Sequence, residues 1–519
     1  MNIAHMLQWS ARRHADRIAF TTPSGEWTYR EIDARANALA NALIELGVSK
    51  GDRVGVLIGN QIEYPESEMA IVKAGAIRVP MLIGSNVTEV RRFVEFSDAV
   101  AVIAAGAALP TLRLALADIG RRVQVIALGE SSAGEHRYGD LIGGSPCTSP
   151  DVDLVENDGY ALRFTGGTTG MPKGILMDHR CMTSVINNML LNWNVPFDEV
   201  VCHFHPLSHA AGKIMYTWWM RGARQVILPA FNFQAEELLK TIERERITTM
   251  FMIPTALNVL LDSAELKRYD TTSLRMIIYG GAPIPAKRIL EGIAAFGPVL
   301  VQIYGCSEAP NVLTTLLPED HVFDANGEAP ARLRSAGRVG YGVEVQVVDA
   351  DGARLPAGQV GEITSRGPHT MARYWKDDTL TAERVRDGWV HTRDMGYFDQ
   401  DGYLYVVDRK DDVIISGGFN VWPAEIENVI CMHNDVAETA VFGLADEKWG
   451  EAVTAVVVLR EGRVLSEAGL LTFLVDKLTR YKIPKRIIIR DEPIPKSPVH
   501  KPLRRKLRDQ YGLIAGEAG

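Results

Sequence analysis

An α/β fold is predicted for this chain, with a large N-terminal domain of helix-covered, mostly parallel sheets and a small mobile α+β domain at the C-terminus. Three observations predict it. Apolar residues alternate between a helical and a strand period along most of the chain. The strand candidates are short, continuous apolar runs, as expected of strands buried on both faces. The alternation shortens after a charged run near residue 408, and 519 residues exceed what one hydrophobic core serves.

Ile32, Ala36, Leu39, Leu43 and Leu46 recur every three or four residues, an amphipathic helix that Gly47 ends. Val54 to Ile58 then reads as a buried strand. Further strand candidates are Val100–Ala104, Val123–Leu128, Gln225–Leu228, Thr249–Ile253, Met276–Tyr279 and Val299–Ile303. Helical stretches such as Gln234–Arg244 and Pro285–Phe296 lie between them. Ligands in such folds sit in the loops beyond the strands' C-terminal ends. The Gly-Ser-Pro-rich stretch from Gly143 to Pro150 reads as a surface linker. A sharper boundary follows the strand Tyr403–Val407, at Asp408-Arg409-Lys410-Asp411-Asp412, before a glycine pair and a helix around Ala424–Met432. The division expected is residues 1–408, a hinge at 409–411, and residues 412–519.

Composition narrows the function. Hydrophobic residues at 46% and charged residues at 23% are ordinary for a globular protein. A net charge of -8 argues against binding driven by nucleic-acid phosphates. The five cysteines are scattered, without the spacing of a disulfide framework or a zinc site. No apolar run is long enough to span a bilayer, and Arg12, Arg13, His14, Asp16 and Arg17 break the start, so no signal peptide is expected. A cytoplasmic location is expected; a homodimer is left open.

The most informative segment is Thr165-Gly166-Gly167-Thr168-Thr169-Gly170-Met171-Pro172-Lys173-Gly174. Its glycines let backbone N–H groups approach a phosphate, and the threonine hydroxyls and Lys173 add donors and charge. It is not a Walker A loop, because Lys173 follows Pro and Gly174 stands where Ser or Thr would bind magnesium. A plain glycine-rich hairpin with a solvated lysine is the bland alternative.

This segment resembles the signature loop of the adenylate-forming superfamily: acyl-CoA synthetases, firefly-type luciferases and peptide-synthetase adenylation domains. Gly166 replaces the usual Ser. The resemblance covers nearly the whole chain and implies a small β-barrel subdomain in the large domain. Tyr279-Gly280-Gly281-Ala282-Pro283 resembles the segment that lies along adenine. Gln302-Ile303-Tyr304-Gly305-Cys306-Ser307-Glu308 resembles the aromatic-Gly-x-Thr-Glu motif. It implies that Tyr304 stacks on adenine, Ser307 touches the phosphate, and Glu308, with Thr168, holds magnesium. Alone, Glu308 would read as a solvated acid. Asp394, in Trp389-Val390-His391-Thr392-Arg393-Asp394, would accept from the ribose hydroxyls, with Arg409 on the same ribose. Without the motifs those two read equally well as a structural ion pair. Lys501, in Pro495-Lys496-Ser497-Pro498-Val499-His500-Lys501, matches the catalytic lysine of the terminal motif, with His500 where Gly is usual. By composition it is only one cation on a basic face.

The resemblance further implies two poses of the small domain, a hinge at Asp411, and a pantetheine channel at Ser416-Gly417-Gly418. His203, His205 and His209 suggest a metal site, but no Cys or carboxylate cluster accompanies them. The family pattern instead puts His209 beside the acyl pocket, with Ala210, Ala211, Ile253, Gly280, Gly305, Pro310 and Asn311. Glu308-Ala309-Pro310-Asn311 resembles the benzoate and chlorobenzoate CoA ligases. The function expected is therefore ATP- and magnesium-dependent acyl-CoA formation from an aromatic or cyclic acid. A fatty acid is the near alternative. Carrier-protein loading is a further one, against which no pocket Asp is evident near Trp218–Trp219 or Ile253. A luciferase-like oxygenase and a non-catalytic regulator are the remaining classes.

Overall fold

The computed structural model describes residues 1–165, 173–229, 233–282, 284–310, 312–322, 329–496 and 502–516. Two large sheets build the N-terminal domain. The first runs in the order Arg338–Val339, Thr314–Leu316, Leu300–Tyr304, Met276–Gly280, Thr249–Met252, Val200–His203, Arg224–Ile227, Ile18–Thr22 and Gly25–Thr28. Its interior strands are parallel, and antiparallel pairs close both edges. The second runs Arg373–Tyr374, Lys173–Asp178, Gly159–Thr165, Ile77–Pro80, Arg53–Leu57, Ala101–Ala105, Gln124–Leu128 and His136–Arg137. It is parallel from Gly159–Thr165 outward. All six expected strands from residue 100 to 303 lie within one residue of their expected bounds.

Helices fill the space between the sheets. Tyr29–Glu45 starts at a capping box, Thr28 and Glu31 each satisfying the other's backbone N–H. One apolar cluster joins Val56 and Ile103 of one sheet to Val201 and Ile278 of the other, through Leu39, Met189 and Ile214 of the helices. A five-stranded antiparallel sheet, from Glu344–Val348 to Leu404–Arg409, occupies the place expected for the small barrel. A fourth sheet, of residues 414–490, carries the small C-terminal domain, its core built on Ile426, Val441, Val453 and Leu470.

Two sequence expectations need correction. Gly143 and Gly144 belong to the helix Tyr138–Gly144, and residues 145–150 beyond it are no free linker. The Asn37 and Asn41 amides donate to the carbonyls of Pro146, Cys147 and Thr148 and pin that stretch to the first long helix. The helix around Ala424–Met432 spans Pro423–Ile430, with Cys431 as its C-cap.

At the heart of the domain lies a buried ion pair. Arg78, on the strand Ile77–Pro80, is 1% exposed and meets Glu68, on the helix Glu63–Lys73 and fully buried. The Tyr64 hydroxyl donates to Glu68 Oε1 at 2.7 Å and the Tyr216 hydroxyl to Oε2 at 3.2 Å. The Arg78 guanidinium lies 4.5 Å from the centre of the Tyr160 ring. Removing one partner leaves a charge in low dielectric without compensation. Glu68→Gln is expected to lower stability by about 3–5 kcal/mol, read as a fall in the urea midpoint of the large domain's transition.

Candidate active site

The interior strands of the first sheet are parallel, so their C-terminal ends share one edge. Along it lie His205–His209 after Val200–His203, Ile253 after Thr249–Met252, Gly281 after Met276–Gly280, and Gly305 after Leu300–Tyr304. Gly280 is required by the sheet itself, since a Cβ there would collide with the carbonyl oxygen of Ile303. Gly281 follows at φ +85° and leads the chain out of the sheet, with Ala282 exposed.

Gln302 and Tyr304 stand one pleat apart on their strand. Gln302 Oε1 is buried and has no hydrogen-bond donor among the described residues. An orphan acceptor at this edge suits an exocyclic amine such as that of adenine. The Tyr304 hydroxyl donates to Asp394 Oδ2 at 2.7 Å, and Arg409 Nε lies 3.6 Å from Asp394 Oδ1. Residues ninety apart in sequence thus form one cluster. Cys306 N–H donates to the Ala309 carbonyl at 3.1 Å and Ala309 N–H to Cys306 Sγ at 3.3 Å, folding Ser307 and Glu308 into a tight loop above buried Pro310. Tyr374 donates to Glu308 Oε1 at 2.5 Å, and Met371 N–H to the Glu308 carbonyl. Sequence reasoning missed Tyr374, which lies outside every motif considered.

The phosphate segment is flanked by a hairpin in which Thr165 and Lys173 are paired across antiparallel strands. Gly166, Gly167, Thr168, Thr169 and Gly170 lie outside the described residues, as do Pro283, Asn311 and Lys501. The ends of the Lys501 segment are held together, Leu503 N–H donating to the Pro495 carbonyl at 2.8 Å and Lys496 bridging to Pro502. Asp411 sits in the turn Lys410–Asp412 and is gripped by Arg393, whose Nε donates to Oδ2 at 2.9 Å. Lys410 pairs with Glu362 and Arg504 with Asp412. Gly417 and Gly418 join the strands Ile414–Ser416 and Phe419–Val421 at φ +60° and +82°.

His209 precedes the helix Ala210–Met220, and Ala211 is buried. A Cβ at Gly212 would strike the carbonyl of Leu207, so the Pro-Leu-Ser-His turn and the helix's first turn pack backbone to backbone. Of the other two histidines, His203 bonds Gln225 at 2.8 Å and His205 Nε2 accepts from Ile253 N–H at 3.3 Å. Among the described residues no cluster of His, Cys, Asp or Glu is arranged to hold a metal. Magnesium at Glu308 would therefore draw most of its ligands from phosphate and water. Burial, then the Arg163 cation, pushes His209 down to about 4. Arg163, just before the phosphate segment, was not among the expected site residues.

Parallel strands ending at one loop-lined edge, with a tyrosine–carboxylate–arginine cluster beside a glycine-rich hairpin, define a nucleotide-binding α/β enzyme. The chain belongs to the AMP-binding enzymes: the AMP-binding enzyme family matches residues 7–375, and the AMP-binding enzyme C-terminal domain matches residues 425–501. It is 35% identical to a feruloyl-CoA synthase of Amycolatopsis sp over 491 residues, covering 93% of this chain and 94% of that one. It is 33% identical to the fatty acid–[acyl-carrier-protein] ligase ScoC of Streptomyces coeruleorubidus over 501 residues, covering 93% and 91%. The ATP-bound structure of MatB from Rhodopseudomonas palustris superposes with a TM-score of 0.88 at 28% identity, covering 99% of this chain and all of that one. The protein is an AMP-forming ligase of the acyl-CoA synthetase type, and it binds ATP. Among the described residues no helix is long and apolar enough to cross a membrane.

Among the described residues six histidines carry depressed pKa values, and four of them are displaced furthest. Burial is the first cause at His179, His203, His209 and His369, each pushed to about 4 from 6.5. The unfolded chain takes up these protons near pH 6.5 and the folded chain only near 4. The stability they contribute is thus complete above pH 6.5 and lost as pH falls from about 6.5 to about 4. Urea midpoints measured at intervals across that window are expected to fall steadily with acid; a flat profile would refute the assignment.

Proposed function

We propose that the protein joins a benzoate-like aromatic or cyclic monocarboxylic acid to AMP and then passes the acyl group to coenzyme A. The cluster of Tyr304, Asp394 and Arg409, set beside Glu308 at the sheet edge, is the observation that carries the reading. A carboxylate at position 394 is acceptor-only, suited to two ribose hydroxyls. Tyr304, anchored through its hydroxyl, offers its ring face to adenine, with Gln302 as acceptor for the amine. Ser307 reaches the phosphate from the same loop.

The first step brings two anions together, so the site must neutralise charge. Lys173, Thr168 and Thr169 hold the β- and γ-phosphates. Glu308, kept in place by Tyr374, and Thr168 would hold magnesium, whose charge would offset that of the phosphates. Lys501 bridges the acid's carboxylate and the α-phosphate. A carboxylate oxygen attacks the α-phosphorus and pyrophosphate leaves. In the second step the thiol of coenzyme A attacks the acyl carbon and AMP leaves, the thiol proton passing to solvent. Rotation at Asp411, between residues 1–408 and 412–519, removes Lys501 and brings Ser416-Gly417-Gly418 up as a pantetheine channel. Lys410 and Lys482 are engaged with Glu362 and Glu425, which leaves Arg480, Lys485 and Arg486 for the CoA phosphates.

His209, Ala210, Ala211, Ile253, Gly280, Gly305, Pro310 and Asn311 line the acid pocket. Alanine at 210 and 211 leaves width for a ring. The feruloyl-CoA synthase supports an aromatic acid; ScoC supports the second reading, a fatty acid loaded onto a carrier.

AMP release from ATP, magnesium and an acid panel, with coenzyme A or a pantetheinylated carrier as acceptor, tests the reading. Release that required the carrier and ignored coenzyme A would overturn it. Lys501→Ala is expected to lower acyl-adenylate formation by at least about a hundredfold, while acyl transfer from a pre-made acyl-adenylate to coenzyme A persists. Equal loss of both half-reactions would remove Lys501 from its first-step role. Asp394→Ala is expected to weaken ATP binding about tenfold or more in calorimetry, the loss of hydrogen bonds to a charged acceptor.

A further inference from the structure

We propose that Lys213 selects the acid, by pairing with an acidic oxygen that the acid carries at a position remote from its reacting carboxylate. This rests on the acid-activation reading above and narrows the benzoate-like class to acids with such a substituent, a phenolic hydroxyl or a second carboxylate.

Lys213 is the single charged residue of the helix Ala210–Met220, whose other residues are apolar, glycine or threonine. It is 9% exposed. It stands four residues after His209, so both lie on the same face at the helix's N-terminal end. The Cys306 thiol, in the loop that carries Glu308, and the Cys181 thiol both feel its charge, as does His209. Burial keeps the ammonium largely from bulk solvent, near enough to the loop that carries Glu308 and to His209 to interact with both. It makes no ion pair or hydrogen bond among the described residues.

Among the described residues no carboxylate pairs with it. Arg78, Arg163 and Lys213 act on one another, and the acid among them, Glu68, is committed to Arg78 and to two tyrosine hydroxyls. The helix N-terminus adds positive potential to the same place. A buried cation without a partner is costly, and Lys213 answers by titrating near 7, through burial first and Arg163 second. An anionic oxygen delivered by the substrate restores its charge and ends the deficit. An apolar acid would leave the ammonium unpaired, so the site discriminates against it.

Matched acids test this: 3-hydroxybenzoate against 3-methoxybenzoate, and isophthalate against its monomethyl ester, each scored by kcat/KM for AMP release. The wild type is expected to favour the acidic member of at least one pair by about thirtyfold or more, chiefly through KM, the pair concerned identifying the substituent. Lys213→Met is expected to abolish that ratio and Lys213→Arg to retain it. A wild type indifferent within both pairs overturns the proposal, and so does a Lys213→Met variant that keeps the ratio or loses all acids equally. The wild-type panel decides even if the Met variant does not fold. AMP release without discrimination counts against Lys213 alone, whereas no AMP with any acid counts against the acid-activation reading.

Discussion

The Glu68 carboxylate organises the centre of the large domain. Arg78 enters from a strand of one sheet, Tyr64 from Glu68's own helix, and Tyr216 from the helix that starts beside His209. A buried ion pair brings little net stability, because desolvation offsets most of the attraction. What it supplies is geometry. Tyr216 lies one turn beyond Lys213, so the hydrogen bond it donates to Glu68 sets the rotation of that helix about its axis. His209 and Lys213 stand at the start of that helix, beside the edge where the parallel strands end.

Charge is sorted by side at this edge. Glu308 and Asp394 stand toward the nucleotide, each fixed by a tyrosine hydroxyl, Tyr374 on one and Tyr304 on the other. In the proposed reading Lys213 stands on the acid's side, with Arg163 and the Glu68-paired Arg78 acting on it electrostatically. A reaction that presses a carboxylate against a polyphosphate gains from fixed positive charge placed before the anions arrive. In that reading the acceptors on the nucleotide side would serve hydroxyls and a cation, and the cations on the other side the acid. Glu308 and Asp394 are held by tyrosines distant in sequence, so the acceptors need not reorganise when the nucleotide binds.

Much of this could be read from the residues alone. The apolar runs at 249–253, 276–279 and 299–303 are long enough and sufficiently flanked by turns to place strands within a residue. The glycine-threonine loop stands out because phosphate chemistry restricts residue type, whereas Glu308, Asp394 and Arg409 are singled out only by the motifs that surround them. The remainder depends on contacts that periodicity does not carry. Tyr374 reaches Glu308 across 66 positions, and Glu68 and Arg78 look in sequence like ordinary charges of a helix and a strand. Lys213 had a visible signal, a lone cation in Ala210–Met220, but its meaning required knowing that no carboxylate lies opposite. The linker at 143–150 misled because its glycines and prolines say nothing of the asparagines that bind its carbonyls.

The distribution of ion pairs also separates what must stay from what must move. Around the turn Lys410–Asp412 the contacts are half-exposed: Arg393 with Asp411, Lys410 with Glu362, Arg409 with Asp394. Each is worth about 0–1 kcal/mol in water, so a rotation there exchanges them cheaply for hydration or for new partners. Asp408 is different. It is buried, accepts from Ala424 N–H at 2.7 Å in the first turn of the helix Pro423–Ile430, and lies 3.7 Å from Arg504. Burial, opposed by Arg504, lifts its carboxyl to about 6. The strand end and the first helix of the small domain are therefore tied through one carboxylate, three residues before Asp411, the residue proposed as hinge. In the two-pose reading proposed above, rotation about Asp411 would either carry Asp408 along or break that tie, and breaking it would cost more than exchanging the exposed pairs.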